Sequence, residues 1–102
     1  MLIGSIRHKG LKRLVETGEV SGVPPALAGK LRRMISSLQT ASAADDLQAF
    51  PAWRVHQLTG DRKGTWSLHV SANWRLTFSV RGDPAEVIDL DFRRLSLRQR
   101  HV

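Results

Sequence analysis

The clearest period in the chain lies between Pro25 and Ala41. There Leu27, Leu31, Met34, Ile35 and Leu38 fall on one stripe, while Lys30, Arg32 and Arg33 lie mostly off it. Apolar positions three and four apart predict an amphipathic helix, and Pro24-Pro25 suits its first turn. His8 to Thr17 repeats the pattern more briefly, with Leu11, Leu14 and Val15 on one side and Lys9, Lys12 and Arg13 around the other. Gly18 stands where a left-handed cap would end that helix. Met1 to Ile6 is short and apolar, a weak strand signal, and the small and polar residues from Ala41 to Pro51 read as a loop.

Beyond Pro51 the period becomes two. Trp53 and Val55 alternate with Arg54 and His56, and Trp66, Leu68 and Val70 alternate with Ser67, His69 and Ser71. Trp74, Leu76, Phe78 and Val80 alternate with Arg75, Thr77 and Ser79. Ile88, Leu90 and Phe92 alternate with Asp89, Asp91 and Arg93. Each run predicts a strand with one buried face, and the short polar connections between them favour antiparallel neighbours. The expected fold is therefore α+β, with two N-terminal helices on one face of an antiparallel sheet of four or five strands. The register assigns Trp53, Trp66 and Trp74 to the core. The uncovered face should collect Arg54, His56, His69, Arg75, Asp89, Asp91 and Arg93, because the pleat sends alternate side chains to opposite sides.

Composition adds a charge to this picture. The 102 residues suit one domain, and 16 Lys+Arg against 9 Asp+Glu leave a formal net charge of +7. Twelve of those cations are Arg, the side chain suited to bidentate contacts with phosphate, so nucleic acid is a natural partner class. No cysteine is present, which excludes disulfides and a thiolate nucleophile. The apolar runs are too short for a membrane span and no signal peptide is visible, so a cytoplasmic protein without a membrane partner is expected. His56, His69 and His101 offer no close ligand pair, and no metal is expected.

Two stretches carry a family likeness. One runs Leu58-Thr59-Gly60-Asp61-Arg62-Lys63-Gly64-Thr65-Trp66-Ser67 and on through Val70-Ser71-Ala72-Asn73-Trp74-Arg75-Leu76-Thr77-Phe78. The other is Ile6-Arg7-His8-Lys9-Gly10-Leu11-Lys12-Arg13-Leu14 with Glu16-Thr17-Gly18 and Ser21-Gly22-Val23-Pro24 after it. The sequence resembles the HigB toxins of the RelE/ParE superfamily, collinearly from about Ile3 to Phe92. The likeness implies a toxin of a type II toxin–antitoxin system, a ribosome-dependent endoribonuclease that cleaves mRNA without metal or other cofactor. Its partners would be the ribosome, mRNA and a HigA-like helix-turn-helix antitoxin, through which alone it would reach operator DNA.

Carried over position by position, His56 matches the family's strand-borne acid or base, and Arg75 the arginine that holds the scissile phosphate. Asp91 matches the aspartate of a C-terminal Asp-Tyr-His motif, whose last two places are Phe92 and Arg93 here. Thr59 stands where the family has lysine. Arg93 keeps a charge for phosphate but shuttles no proton at neutral pH. Arg54, Arg62, Lys63 and Arg94 are the expected contacts to RNA phosphates. Residues 1–93 form the expected toxin domain, and 94–102 a basic tail. Two other readings stay open: a catalytically weakened toxin acting through antitoxin binding and operon autoregulation, and a ParE-like gyrase inhibitor, which would not need His56.

Overall fold

The computed structural model describes residues 1–60 and 64–95. The first helix, α1 (Lys9–Thr17), begins where the His8 ring turns back and Nδ1 accepts from the Leu11 amide at 3.0 Å. It ends at Gly18, whose φ of 77° lets its amide reach the Leu14 carbonyl at 3.1 Å. That left-handed geometry is open to glycine at no steric cost. The second, α2 (Pro25–Thr40), buries Ala28, Leu31, Met34, Ile35 and Leu38, the expected stripe.

Among the described residues, five strands follow the order β1-β5-β4-β3-β2 in one sheet: β1 (Leu2–Ile3), β2 (His56–Gln57), β3 (Trp66–Ser71), β4 (Trp74–Arg81) and β5 (Glu86–Arg94). Leu68, Val70, Leu76, Phe78, Val87, Leu90 and Phe92 point at the helices and close one core with Leu11, Leu14, Leu31, Met34 and Leu38. Trp53 belongs to that core, and Trp66 and Trp74 pack against it.

Three expectations need correction. The sheet is mixed, because β1 pairs parallel with β5 while the other strand pairs among the described residues are antiparallel. Short hairpins dictate antiparallel pairing only between neighbours in sequence, and β1 reaches β5 across the whole chain. The stretch around Trp53 is also less extended than alternation suggests. Ala44–Ala49 and Pro51–Trp53 form 3-10 turns, and only His56–Gln57 joins the sheet. Finally, Val87 rather than Ile88 enters the core. A bulge between Thr77↔Asp91 and Ser79↔Ile88 inserts an extra residue into β5, with Asp89 at φ 54°, and so reverses the alternation upstream of it.

Candidate active site on the open sheet face

Strand register arranges the polar face into rows. His56, Ser67, Thr77 and Asp91 are successive cross-strand partners over β2, β3, β4 and β5. Two residues along, His69, Arg75 and Arg93 form a second row. The spacing of strands puts about 14 Å between the ends of the first row at backbone level. Thus four of the expected site residues, His56, Arg75, Asp91 and Arg93, share one face.

His56 is exposed and its ring is anchored. Nδ1 lies 2.7 Å from the backbone oxygen of Arg54. A carbonyl only accepts, so Nδ1 carries the proton and Nε2 is left as the free nitrogen of the neutral ring. Arg54 caps the Pro51–Trp53 turn at φ 47°. It and Asp89 are the non-glycine residues with positive φ among the described residues, and both border the open face. Such conformations are sparsely populated and concentrate at functional sites.

Arg75 is half-buried, and Nη1 donates to the Ser71 and Trp74 carbonyls at 2.6 and 2.9 Å. This clamps its guanidinium onto the β3–β4 hairpin. Burial and then the charge of Arg54 lower its pKa, although a guanidinium stays charged at any working pH. Asp91 accepts from the Phe92 amide at 3.0 Å through Oδ1 and joins no ion pair among the described residues.

His69 is the residue that sequence reasoning left without a role. Its Nδ1 is buried and has no partner among the described residues. Burial is the main cause of a lowered pKa, followed by the charges of Arg75, Arg54 and Lys30. Lys30 extends from α2 to the Val70 carbonyl, 2.5 Å from Nζ. Period-two alternation had already put His69 on this face; the three cations around it come from three separate segments and left no local signal.

Other expected residues fall elsewhere. Arg94 pairs with Trp74 and so points to the helix side, away from Arg93, because neighbours on a strand face opposite ways. Phe92 lies on that side too, stacked on Trp74 at 4.3 Å and edge-on to His8 at 5.6 Å. Arg62, Lys63 and the segment 96–102 lie outside the described residues. Among the described residues no group of three or more His, Asp or Glu could hold a metal ion, and no helix is long and apolar enough to cross a membrane.

The fold has a counterpart among solved structures. A YoeB/ParE toxin from Agrobacterium tumefaciens shares it, with a TM-score of 0.53 over 91% of this chain and 99% of that one at 19% identity. Residues 4–93 match the family of RelE-like toxins of type II toxin–antitoxin system HigB. The protein named Endoribonuclease HigB from Proteus vulgaris is 41% identical over 83 residues, covering 80% of this chain and 89% of that protein. The chain belongs to the HigB-like toxins, and as a type II toxin it has an antitoxin partner.

Proposed function

We propose that this toxin is an endoribonuclease that cleaves mRNA on the translating ribosome, in the cytoplasm, by metal-independent transesterification on the open sheet face. The related Proteus protein is itself named an endoribonuclease. The carrying observation is the pair of adjoining rows, one bearing an anchored imidazole and a carboxylate at its ends, the other two arginines.

In this reading a phosphate of the RNA sits over Arg75 and Arg93, whose charges stabilise the phosphorane as it forms. The ribose 2′-oxygen attacks the phosphorus and gives its proton to a base. The bond to the 5′-oxygen breaks, and that oxygen takes a proton from an acid. His56 and Asp91, at opposite ends of one row, flank the phosphate as the two proton-transfer groups. The products are a 2′,3′-cyclic phosphate and a free 5′-hydroxyl. Arg54 holds a neighbouring backbone phosphate, and Arg62 and Lys63, outside the described residues, are further cations for the RNA backbone. The ribosome aligns the 2′-oxygen in line with its phosphate, an orientation term that the shallow face lacks by itself. A HigA-like helix-turn-helix antitoxin restrains the toxin and provides its only route to operator DNA.

The test is a reconstituted translation reaction on a defined mRNA with both ends of each fragment mapped. Cuts within translated codons, carrying cyclic phosphate and 5′-hydroxyl ends, are expected, with naked RNA left intact. Absence of cleavage together with inhibition of gyrase would favour the ParE-like alternative.

A further inference from the structure

Where the two rows end on β5, a polar hollow of about 200 Å³ opens at its bulge. Thr77 lines it, 3% exposed, and its Oγ1 is buried without a partner among the described residues. An unpaired buried hydroxyl is costly unless something fills the space beside it. Asp89 and Asp91 line the hollow with two carboxylates, Arg7 and Arg93 with two guanidiniums, and Ser79 with a second hydroxyl.

The wall is built rather than incidental. Asp89 holds its positive φ with its amide on Ser5 Oγ at 2.8 Å and its carboxylate 3.5 Å from Arg7 Nε. The adjoining Leu90 amide is held by the Ser5 carbonyl at 3.0 Å. The bulge is thereby fixed from β1's continuation, and it aims Asp89 where a regular strand would not.

The lining selects a ligand class. Two carboxylates disfavour a phosphate, and two guanidiniums disfavour a metal cation. A neutral, flat group that offers donors to the carboxylates and acceptors to the hydroxyl and guanidinium groups satisfies both, which is the edge of a nucleobase. The volume is below the roughly 300–1,000 Å³ of sites for larger ligands, so it suits one ring system and not a whole nucleotide. The hollow opens from the same strands as the Arg75–Arg93 row. Arg93 and Asp91 stand two residues apart on β5, about 7 Å along the strand, the scale of one nucleotide step.

We propose that this hollow is a base-recognition subsite for a nucleotide flanking the cleaved linkage, and that it prefers a base with an exocyclic amino group over uracil. The inference rests on the RNA-cleaving reading of the face. Adenine, cytosine and guanine each present an amino group to Asp89, with a ring nitrogen or oxygen for Thr77; uracil has no amino group, and its N3–H is flanked by two carbonyl oxygens that a carboxylate repels.

The test measures ribosome-dependent cleavage rates on mRNAs that vary only in the bases flanking one cleavage site. The wild-type protein should cut amino-bearing bases at one flanking position at least about tenfold faster than uracil. Thr77→Val keeps the shape and removes the hydroxyl, and Asp89→Asn keeps a residue tolerant of positive φ while exchanging an acceptor for a donor. Both should still cleave, with the bias reduced below about threefold, and Asp89→Asn should gain on uracil, whose O4 accepts. Thermal melts of both variants would identify any loss due to misfolding, and either variant alone suffices. A wild-type protein without the bias, or folded variants that keep it, would overturn the subsite alone. A wild-type protein that does not cleave would overturn the RNA-cleaving reading as well.

Discussion

His69 stands directly across the β3–β4 pair from Arg75, and that guanidinium, behind burial, is the second cause of its lowered pKa. The sign of the consequence follows from where protons bind. An unfolded chain protonates histidine near ~6.5, whereas the folded protein resists protonation until the pH is lower. Protons therefore favour the unfolded state below about pH 6.5, and stability rises as pH climbs back through that window. Thermal melts should show a higher Tm at pH 7.5 than at pH 5.5. His69→Gln should shrink the difference, and a difference it leaves intact belongs to other groups.

His56 and Arg75 differ in how deeply they are built into the fold, so their variants should separate chemistry from stability. His56 is exposed and bonded to Arg54. His56→Ala should cost about 10²–10⁴ in cleavage rate and leave the Tm within a degree or two. Arg75 also ties the hairpin through two carbonyls. Arg75→Ala should cost about 10²–10³ in rate and lower stability by about 1–3 kcal/mol. Denaturant melts beside single-turnover cleavage would check the contrast; equal stability for both variants would count against the clamp.

Phe92 and Arg93 adjoin in sequence yet face opposite sides of the sheet, so restoring the residues the family carries there should have unequal effects. Arg93→His puts an imidazole opposite Arg75 on the open face, adds a group titrating near ~6.5, and should steepen the pH dependence of cleavage. Phe92→Tyr sends a hydroxyl into the stack between Trp74 and His8. That variant should cleave no faster and lose about 1–3 kcal/mol if the hydroxyl finds no partner. A faster Phe92→Tyr would show that this ring reaches the substrate.

Much of this was legible because it is periodic. The stripe from Leu27 to Leu38 and the alternation from Trp66 to Val80 state which side of each element is buried, and the core follows. The same alternation put the charged residues on the face that remained. What stayed hidden depends on partners distant in the chain. Nothing near Leu2 announces a parallel partner at Glu86. The bulge at Asp89 has no spacing of its own, so Ile88 read as core. Lys30 lies on a helix whose stripe says nothing of the Val70 carbonyl it meets.

The glycines in the N-terminal motif have a physical reason that spacing alone did not supply. Gly10 is buried in α1, where glycine normally costs about 1 kcal/mol against alanine. A side-chain carbon built there would stand 2.0 Å from the Gly22 carbonyl oxygen. One built on Gly22 would meet the Gly10 Cα at 2.4 Å. The two backbones are in contact, and neither neighbour is a flexible side chain able to swing aside. Gly10→Ala therefore gains helix propensity and loses the docking of α1 against the connector that leads to Val23 and α2. Steric overlap should win, because displacing that connector also lifts Val23, 6% exposed, from the core. Gly10→Ala should lower stability by about 2–4 kcal/mol, whereas Gly29→Ala, whose nearest neighbour is the far end of Arg33 at 3.7 Å, should stabilise by up to about 1 kcal/mol. Urea titrations of the two variants against the wild-type protein would decide it. A neutral or stabilising Gly10→Ala would mean that the α1–connector contact yields more readily than two apposed backbones should.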